Sequence, residues 1–332
     1  MTSRSHRWPR CVSRLAPTIA IACAVAFACP ASAFDLQGHR GTRGLAPENT
    51  LAAFSKALAI GVTTLETDLA VTRDGVLVIS HDPFLNPDLV RGADGRWLAE
   101  KGPAIRTMTL AELKRYDIGR VDPESKYGKQ FPEQQPSDGA RFPALTELFD
   151  LVRASAKPVR LNIETKITPT SKDETVDAET FARMVVEAAR SAGLAQRVTI
   201  QSFDWRTLLI AKKLAPEIQT VCLTSETTNL DTVQRASGQP SAWHAGLDLA
   251  AHGGSLPRLV RAAGCGTWSP FWRDVTPVLV TEAQSLGLKV VPWTVNNPPD
   301  MLQLIDMKVD GLITDYPDRL RKVMSDKGMP LP

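Results

Sequence analysis

Two histidines, His39 and His81, a pair of acids two residues apart, Glu66 and Asp68, and a later acid–base pair, Glu164 and Lys166, hold most of the side chains in this chain that could do chemistry. Glu66 and Asp68 sit in the apolar run Val62-Thr63-Thr64-Leu65-Glu66-Thr67-Asp68-Leu69-Ala70-Val71. On a strand, residues i and i+2 point to the same face, so both carboxylates enter one site. Glu164 and Lys166 repeat the spacing within Val159-Arg160-Leu161-Asn162-Ile163-Glu164-Thr165-Lys166. Three inward carboxylates raise one another's pKa unless a cation sits among them, which asks for a divalent metal at Glu66, Asp68 and Glu164. An imidazole titrates near 6.5, so His39 and His81 suit proton transfer at neutral pH.

Elements that could position these groups follow from the hydrophobic pattern. Apolar strand-like runs alternate with helix-period segments, the rhythm of a parallel α/β protein. Residues 34–39 read as a first strand. A helix over 48–60 follows, with Leu51, Phe54 and Leu58 on one stripe and Gly61 as its stop. Residues 63–71 form the second strand. Thr72-Arg73-Asp74-Gly75 is too short for a parallel crossover, which needs about a dozen residues. Asp-Gly is a hairpin signal, so 76–81 folds back over the second strand and sets His81 above Glu66 and Asp68. With that hairpin strand set aside, further strands at 159–164, 197–202, 219–224, 265–269, 289–295 and 310–314 bring the number to eight. Eight strands with intervening helices predict a (β/α)8 TIM barrel, whose active site lies at the strand C-termini. His39, Glu66, Glu164, Gln201, Trp293 and Asp315 fall at those ends. Residues 82 to about 142 break the rhythm with Pro, Gly and charge, and read as an insertion over the barrel mouth.

The first 33 residues read differently. Arg4, Arg7, Arg10 and Arg14 precede an apolar run, and Ala31-Ser32-Ala33 forms a small-x-small cleavage site, the pattern of a secretory signal peptide. The formal charge of +3 rests on these four arginines; without them the remainder carries −1. The roughly 300 residues that follow suit one large barrel-type domain, 34–332, with no global basicity to draw nucleic acid and no membrane anchor. An exported protein, periplasmic or secreted, is expected. Only Cys222 and Cys265 lie beyond the leader; two buried thiols and a single bridge both fit.

Gly38-His39-Arg40-Gly41, Pro47-Glu48-Asn49-Thr50, Glu66-Thr67-Asp68, Thr72-Arg73-Asp74-Gly75, His81-Asp82 and Glu164-Thr165-Lys166 together resemble, in order, the glycerophosphodiester phosphodiesterases. Pro292-Trp293-Thr294-Val295-Asn296 and Asp310-Gly311-Leu312-Ile313-Thr314-Asp315-Tyr316-Pro317 look like that family's last two strands, so the similarity spans about residues 36 to 320. The resemblance implies a barrel with a substrate-contacting insertion, one divalent cation, Ca²⁺ or Mg²⁺, and hydrolysis of a small glycerophosphodiester to glycerol 3-phosphate and an alcohol. By position, Glu66, Asp68 and Glu164 would be metal ligands, and His39 and His81 acid and base. Arg40 and Lys166 would hold the phosphate, and Trp293 would flank the glycerol. The related phospholipase C barrels imply attack by the glycerol 2-hydroxyl through a cyclic phosphate. Leu89-Val90-Arg91-Gly92-Ala93 replaces the family's usual Arg-Thr-Thr stretch, which leaves the head group open.

Two rival readings remain at this stage. A lysophospholipase D or sphingomyelinase D type would want an exposed apolar lid, and 82–142 offers only Phe84, Trp97 and Phe131. A barrel that binds phosphodiesters without turning them over would not need both histidines. His244 and His252 lie in an irregular segment without acids at ligand spacing, and read as structural or surface groups.

Overall fold

A parallel sheet must be covered on both faces and must not leave a free edge, and this chain closes the sheet on itself and covers its outer face with helices. The computed structural model describes residues 1–5, 33–171 and 173–332. Nearly all of the leader segment at 1–33 lies outside the described residues. Ala33–Pro332 form one compact unit. Among the described residues no helix is long and apolar enough to cross a membrane.

In chain order the elements are β1 (Asp35–Gly38), α1 (Leu51–Ile60), β2 (Thr64–Val71), β3 (Leu77–Ile79), α2 (Leu110–Leu113), α3 (Leu145–Ala154), β4 (Arg160–Thr165) and α4 (Ala178–Ser191). There follow β5 (Val198–Ser202), α5 (Trp205–Leu214), β6 (Gln219–Thr224), the two-residue hairpin strands β7 (Glu226–Thr227) and β8 (Leu230–Asp231), and α6 (Leu256–Ala263). The chain ends with β9 (Thr267–Pro270), α7 (Pro277–Ser285), β10 (Lys289–Val290), α8 (Pro298–Asp306), β11 (Gly311–Thr314) and α9 (Pro317–Asp326).

Eight parallel strands form the barrel in the order β10-β9-β6-β5-β4-β2-β1-β11. Backbone bonds from Asp310 N to Val290 O (2.8 Å) and from Ile313 N to Pro292 O (3.0 Å) join the two ends of that order. The helices pack their apolar stripes on the outside. In α4 the buried positions are Phe181, Ala182, Val185, Val186 and Ala189, a helical period, and Asp177 caps the first turn. Burying each such Val or Phe is worth about 1.5–3 kcal/mol.

The hairpin expected after β2 is present. β3 runs antiparallel to β2 with Leu69 opposite Ile79, and Gly75 supplies the positive φ of 74° in the turn. Ser80 N then bonds Asp68 O at 3.1 Å, so His81 enters directly beside the acid strand. The insertion builds a second apolar cluster, in which Leu85, Val90, Ile105, Leu113 and Phe142 pack on Ala70 and Val78. Cys222 in β6 and Cys265 just before β9 form a disulfide across neighbouring strands.

Candidate active site

The site is assembled from strand register. Within the β2–β4 pair, Glu66 stands opposite Asn162 and Asp68 opposite Glu164; within β4–β5, Glu164 stands opposite Gln201. A polar ladder fills the barrel interior beneath: Asn162 Nδ2 donates to Gln37 Oε1 (3.0 Å) and Gln201 Oε1 (2.7 Å), and Gln201 Nε2 donates to Glu66 Oε1 (2.7 Å). On the other side, β1 lies beside β11 with Gly38 opposite Thr314, so the next residues, His39 and Asp315, meet at the rim. His39 Nδ1 lies 2.6 Å from Asp315 Oδ1.

The turn after β1 needs its glycines. A Cβ at Gly38 would sit 2.1 Å from the Gly41 carbonyl oxygen, and one at Gly41 (φ 84°) would meet the α1 backbone at 2.8 Å. That tight turn sets Arg40 in a left-handed conformation (φ 50°) and aims its backbone N–H at Glu66 Oε2, 2.8 Å away. The Arg40 guanidinium reaches Glu48 Oε1 at 2.7 Å and approaches Asp68 Oδ2 at 3.4 Å. Asn49 Nδ2 donates to Asp68 Oδ2 at 2.9 Å.

Glu66, Asp68 and Glu164 converge with one oxygen from each within 4.8 Å of the others, and all three are buried. Asp68 Oδ1 has no hydrogen-bond partner. A buried carboxylate oxygen without a donor is costly unless something else coordinates it. Charge points the same way. Five buried carboxylates (Glu48, Glu66, Asp68, Glu164, Asp315) share the site with three cations (Arg40, Arg43, Lys166), leaving two negative charges uncompensated. Hard oxygen donors and a deficit of two fit a divalent cation.

Burial, and then the neighbouring Asp68, push the Glu66 carboxyl well above its ordinary range. Burial raises Glu164 as well, with Asp68 adding to it and Lys166, bonded at 2.9 Å, opposing. Asp68 resists its own burial because Arg40, His81 and Lys166 hold it below the usual carboxylate range. Protons therefore compete with a cation for this cluster, and Glu66 is the member whose carboxyl is pushed up most strongly. His39 is lowered by burial and by Arg43, against Asp315; His81 is lowered further, by burial and by Arg40 and Lys166. His81 Nδ1 lies 2.8 Å from Asp82 Oδ1, and Asn86 Nδ2 holds the other Asp82 oxygen at 2.6 Å. Each imidazole is thus oriented through Nδ1 by a carboxylate, which leaves Nε2 as the atom free to exchange a proton.

His39, Arg40, Glu66, His81, Glu164, Lys166 and Trp293 line one cavity of about 420 Å³. Asp68 joins Glu66 and Glu164 in the acid cluster. All eight residues singled out from the sequence therefore come together. Sequence reasoning missed how Asp315 is held: Arg43 grips both its oxygens (2.8 and 3.0 Å), and Asn296 Nδ2 adds a third donor at 2.7 Å. It also missed Tyr127, whose hydroxyl bonds Glu48 Oε2 and accepts from Arg43 at 3.2 Å. His244, read as structural or surface, is fully buried and stacks on Trp205 with ring centres 4.4 Å apart.

A model of the Glycerophosphoryl diester phosphodiesterase family matches residues 39–319. Among curated proteins, the chain is 29% identical to a glycerophosphodiester phosphodiesterase of Caldanaerobacter subterraneus subsp. tengcongensis over 87% of this chain and 97% of the relative. It is likewise 29% identical to a glycerophosphodiester phosphodiesterase of Bacillus subtilis over 86% of this chain and 84% of the relative. Among solved structures, a putative glycerophosphoryl diester phosphodiesterase from Silicibacter pomeroyi superposes with a TM-score of 0.80 at 34% identity, covering 90% of this chain and 95% of that one. An Oleispira antarctica phosphodiesterase in complex with the product sn-glycerol-3-phosphate shares the fold, with a TM-score of 0.62 at 24% identity over 87% of this chain and 96% of that one.

Proposed function

This chain belongs to the glycerophosphoryl diester phosphodiesterase family and is an enzyme of that activity, and from that premise we propose that it splits its substrate with one divalent cation and two histidines. The observation that carries the reading is the convergence of the acid cluster and two carboxylate-braced imidazoles on one cavity. Glu66, Asp68 and Glu164 would hold the cation, with Ca²⁺ and Mg²⁺ both matching an all-oxygen donor set. When bound, such an ion neutralises charge on the phosphoryl oxygens.

The protein's own groups do the rest. Arg40 presents a guanidinium fork and Lys166 a point charge to the phosphate, and Trp293 flanks the glycerol. One histidine takes the proton from the glycerol 2-hydroxyl through Nε2 as that oxygen attacks phosphorus. The bond from phosphorus to the alcohol oxygen breaks, and the alcohol leaves with a proton from the other histidine. Water then opens the cyclic phosphate with the two roles exchanged, which gives glycerol 3-phosphate. A bound phosphodiester anion offsets the cations that depress both imidazoles, so one can carry the proton the leaving alcohol needs. Each proton transfer of this kind is worth roughly 10²–10⁴-fold in rate.

A lipid-directed activity is less well supported. Apart from the terminal Met1 and Leu331, the large apolar side chains exposed among the described residues are Val278 and Leu302, and neither lies in the insertion. Binding without turnover leaves two braced histidines without a task. The export reading draws support from the Cys222–Cys265 disulfide, which suits an oxidising compartment.

Glycerophosphocholine and its analogue lacking the glycerol 2-hydroxyl test the mechanism. Release of glycerol 3-phosphate from the first and none from the second fits the internal nucleophile. Ready hydrolysis of the analogue would remove it. Release only from long-chain lysolipids would favour the lipid-directed rival, and binding without release the non-catalytic one.

A further inference from the structure

Amides fill the barrel interior beneath the acid cluster, where branched apolar side chains usually pack such barrels. Gln37, Asn162 and Gln201 are all buried, and an apolar layer would fill the same space without needing partners. The three amides form a chain with a single polarity. At its lower end stands Asp35, the first residue of β1. Thr63 and Thr64 hydroxyls donate to Asp35 Oδ1 at 2.6 and 2.7 Å, and Arg160 reaches the same oxygen at 2.8 Å. Asp35 and Gln37 line a cavity there with Arg160, Gln219 and Lys289, each the first residue of its strand, so this end is the mouth opposite the acids.

A carboxylate paired with an arginine accepts hydrogen bonds and donates none. Gln37 therefore turns its amide nitrogen towards Asp35 Oδ2, 2.9 Å away, and its carbonyl towards Asn162. Asn162 spends both amide hydrogens, one on Gln37 Oε1 (3.0 Å) and one on Gln201 Oε1 (2.7 Å), while Thr199 Oγ1 donates to its carbonyl at 2.8 Å. With its carbonyl engaged below, Gln201 meets Glu66 Oε1 through Nε2, at 2.7 Å. The Arg40 backbone N–H holds Glu66 Oε2 at 2.8 Å. Each Glu66 oxygen thus accepts one bond and keeps a lone pair for a further partner.

Resting on the cation reading above, we infer that Gln201 is a positioning residue for the cation. The amide chain anchored on Asp35 at the far mouth dictates which end of Gln201 meets Glu66, and so locks that carboxylate in its ligating orientation. Gln201 acts through Glu66, and Asn162 acts through Gln201. Partners of this kind, one bond removed from the metal, are worth roughly 10–100-fold in metal affinity.

Calorimetry of Ca²⁺ binding to the chelator-treated full chain reads the effect directly, after thermal unfolding has shown each variant to be folded. Gln201→Met keeps the length of the side chain and loses the donor. Its Kd for Ca²⁺ is expected to rise at least roughly tenfold. Saturating Ca²⁺ is expected to restore most of its kcat, because the three acids are intact. Asn162→Asp tests the direction of the chain. It sets a carboxylate against two glutamine carbonyls, and the conflict is relieved when Gln201 turns its nitrogen to position 162 and its carbonyl to Glu66. Ca²⁺ binding is expected to weaken by a similar factor, although an added acid acting only through its field would strengthen it. Unchanged Ca²⁺ affinity in Gln201→Met overturns the inference, and so does unchanged or tighter binding in Asn162→Asp. If the wild type binds Ca²⁺ and the variants match it, only the positioning role falls; if the wild type binds none, the cation reading falls and takes this role with it.

Discussion

His39 Nδ1 and Asp315 Oδ1 lie 2.6 Å apart across the seam where the last barrel strand meets the first. The contact fixes the imidazole tautomer, and Arg43 and Asn296 saturate the carboxylate so that it cannot turn away. Burial works against the Asp315 charge, but Arg43 and His39 hold its pKa far below the usual range, so it stays ionised at any working pH. Asp315→Asn is expected to lower kcat by roughly 10²–10⁴-fold, the span of one general acid–base contribution. Asp315 is also one of the groups that raise the His39 pKa. Its removal is therefore expected to move whichever limb of the kcat/KM profile reports His39 to lower pH, the acid limb if His39 is the base and the basic limb if it is the acid. A pH–rate series on wild type and variant reads both effects.

Tyr127 links the insertion to two arginines at once. It bonds Glu48, which holds Arg40, and accepts from Arg43, which holds Asp315. Phe131 supports the same arginine, with the guanidinium carbon 4.8 Å from its ring centre. Removing the hydroxyl in Tyr127→Phe leaves the ring packing and loses only the link. Activity is expected to fall by roughly tenfold, equivalent to about one hydrogen bond to a charged group. Thermal unfolding should change little, and a variant with unaltered kcat and KM would show the insertion to be a passive cover.

Stability should depend on His244. Burial pushes its ring down to about 4, against weaker upward pulls from Asp231 and Glu226. Neither ring nitrogen has a hydrogen-bond partner. In the unfolded chain the same ring titrates near 6.5. Between these values the unfolded chain binds a proton that the folded one refuses, so stability is fully present above pH 6.5 and falls as pH drops towards 4. The loss reaches at most about 3 kcal/mol. His244→Phe should flatten that part of the denaturation-midpoint curve against pH, and an unchanged slope would contradict the assignment.

The Cys222–Cys265 bridge closes a separation of 43 residues between adjacent strands. Chain-entropy arithmetic for a loop of that size gives about 4 kcal/mol, and strain or residual structure lowers what is realised. Cys222→Ser with Cys265→Ser is expected to cost about 2–4 kcal/mol in urea unfolding while leaving KM unchanged, because neither sulfur lies in the cavity.

What could be read in the sequence was whatever periodicity reports. Glu66 and Asp68 share a face because a strand alternates, and the Asp-Gly turn announces that β3 doubles back with His81 behind it. Asp315 was visible as a polar strand end, but its partnership with His39 exists only because β11 closes against β1, a non-local pairing that no local pattern encodes. Arg43, Tyr127 and Phe203 lie in irregular segments, where side-chain direction follows from tertiary packing rather than from spacing. The cysteine pair stayed undecided for the same reason. β6 neighbours β9 because β7 and β8 form a small hairpin outside the barrel, and only that adjacency sets the two sulfurs within reach.

The central claim is that Glu66, Asp68 and Glu164 hold one divalent cation on which catalysis depends. Calorimetric titration of Ca²⁺ and Mg²⁺ into chelator-treated protein, with activity followed in parallel, tests it most directly. One ion per chain is expected, with hydrolysis restored in step with occupancy, binding weaker at lower pH as protons compete for the acid cluster, and neither binding nor activity in Asp68→Asn. Full hydrolysis of glycerophosphocholine in excess chelator, with no ion bound, would contradict it.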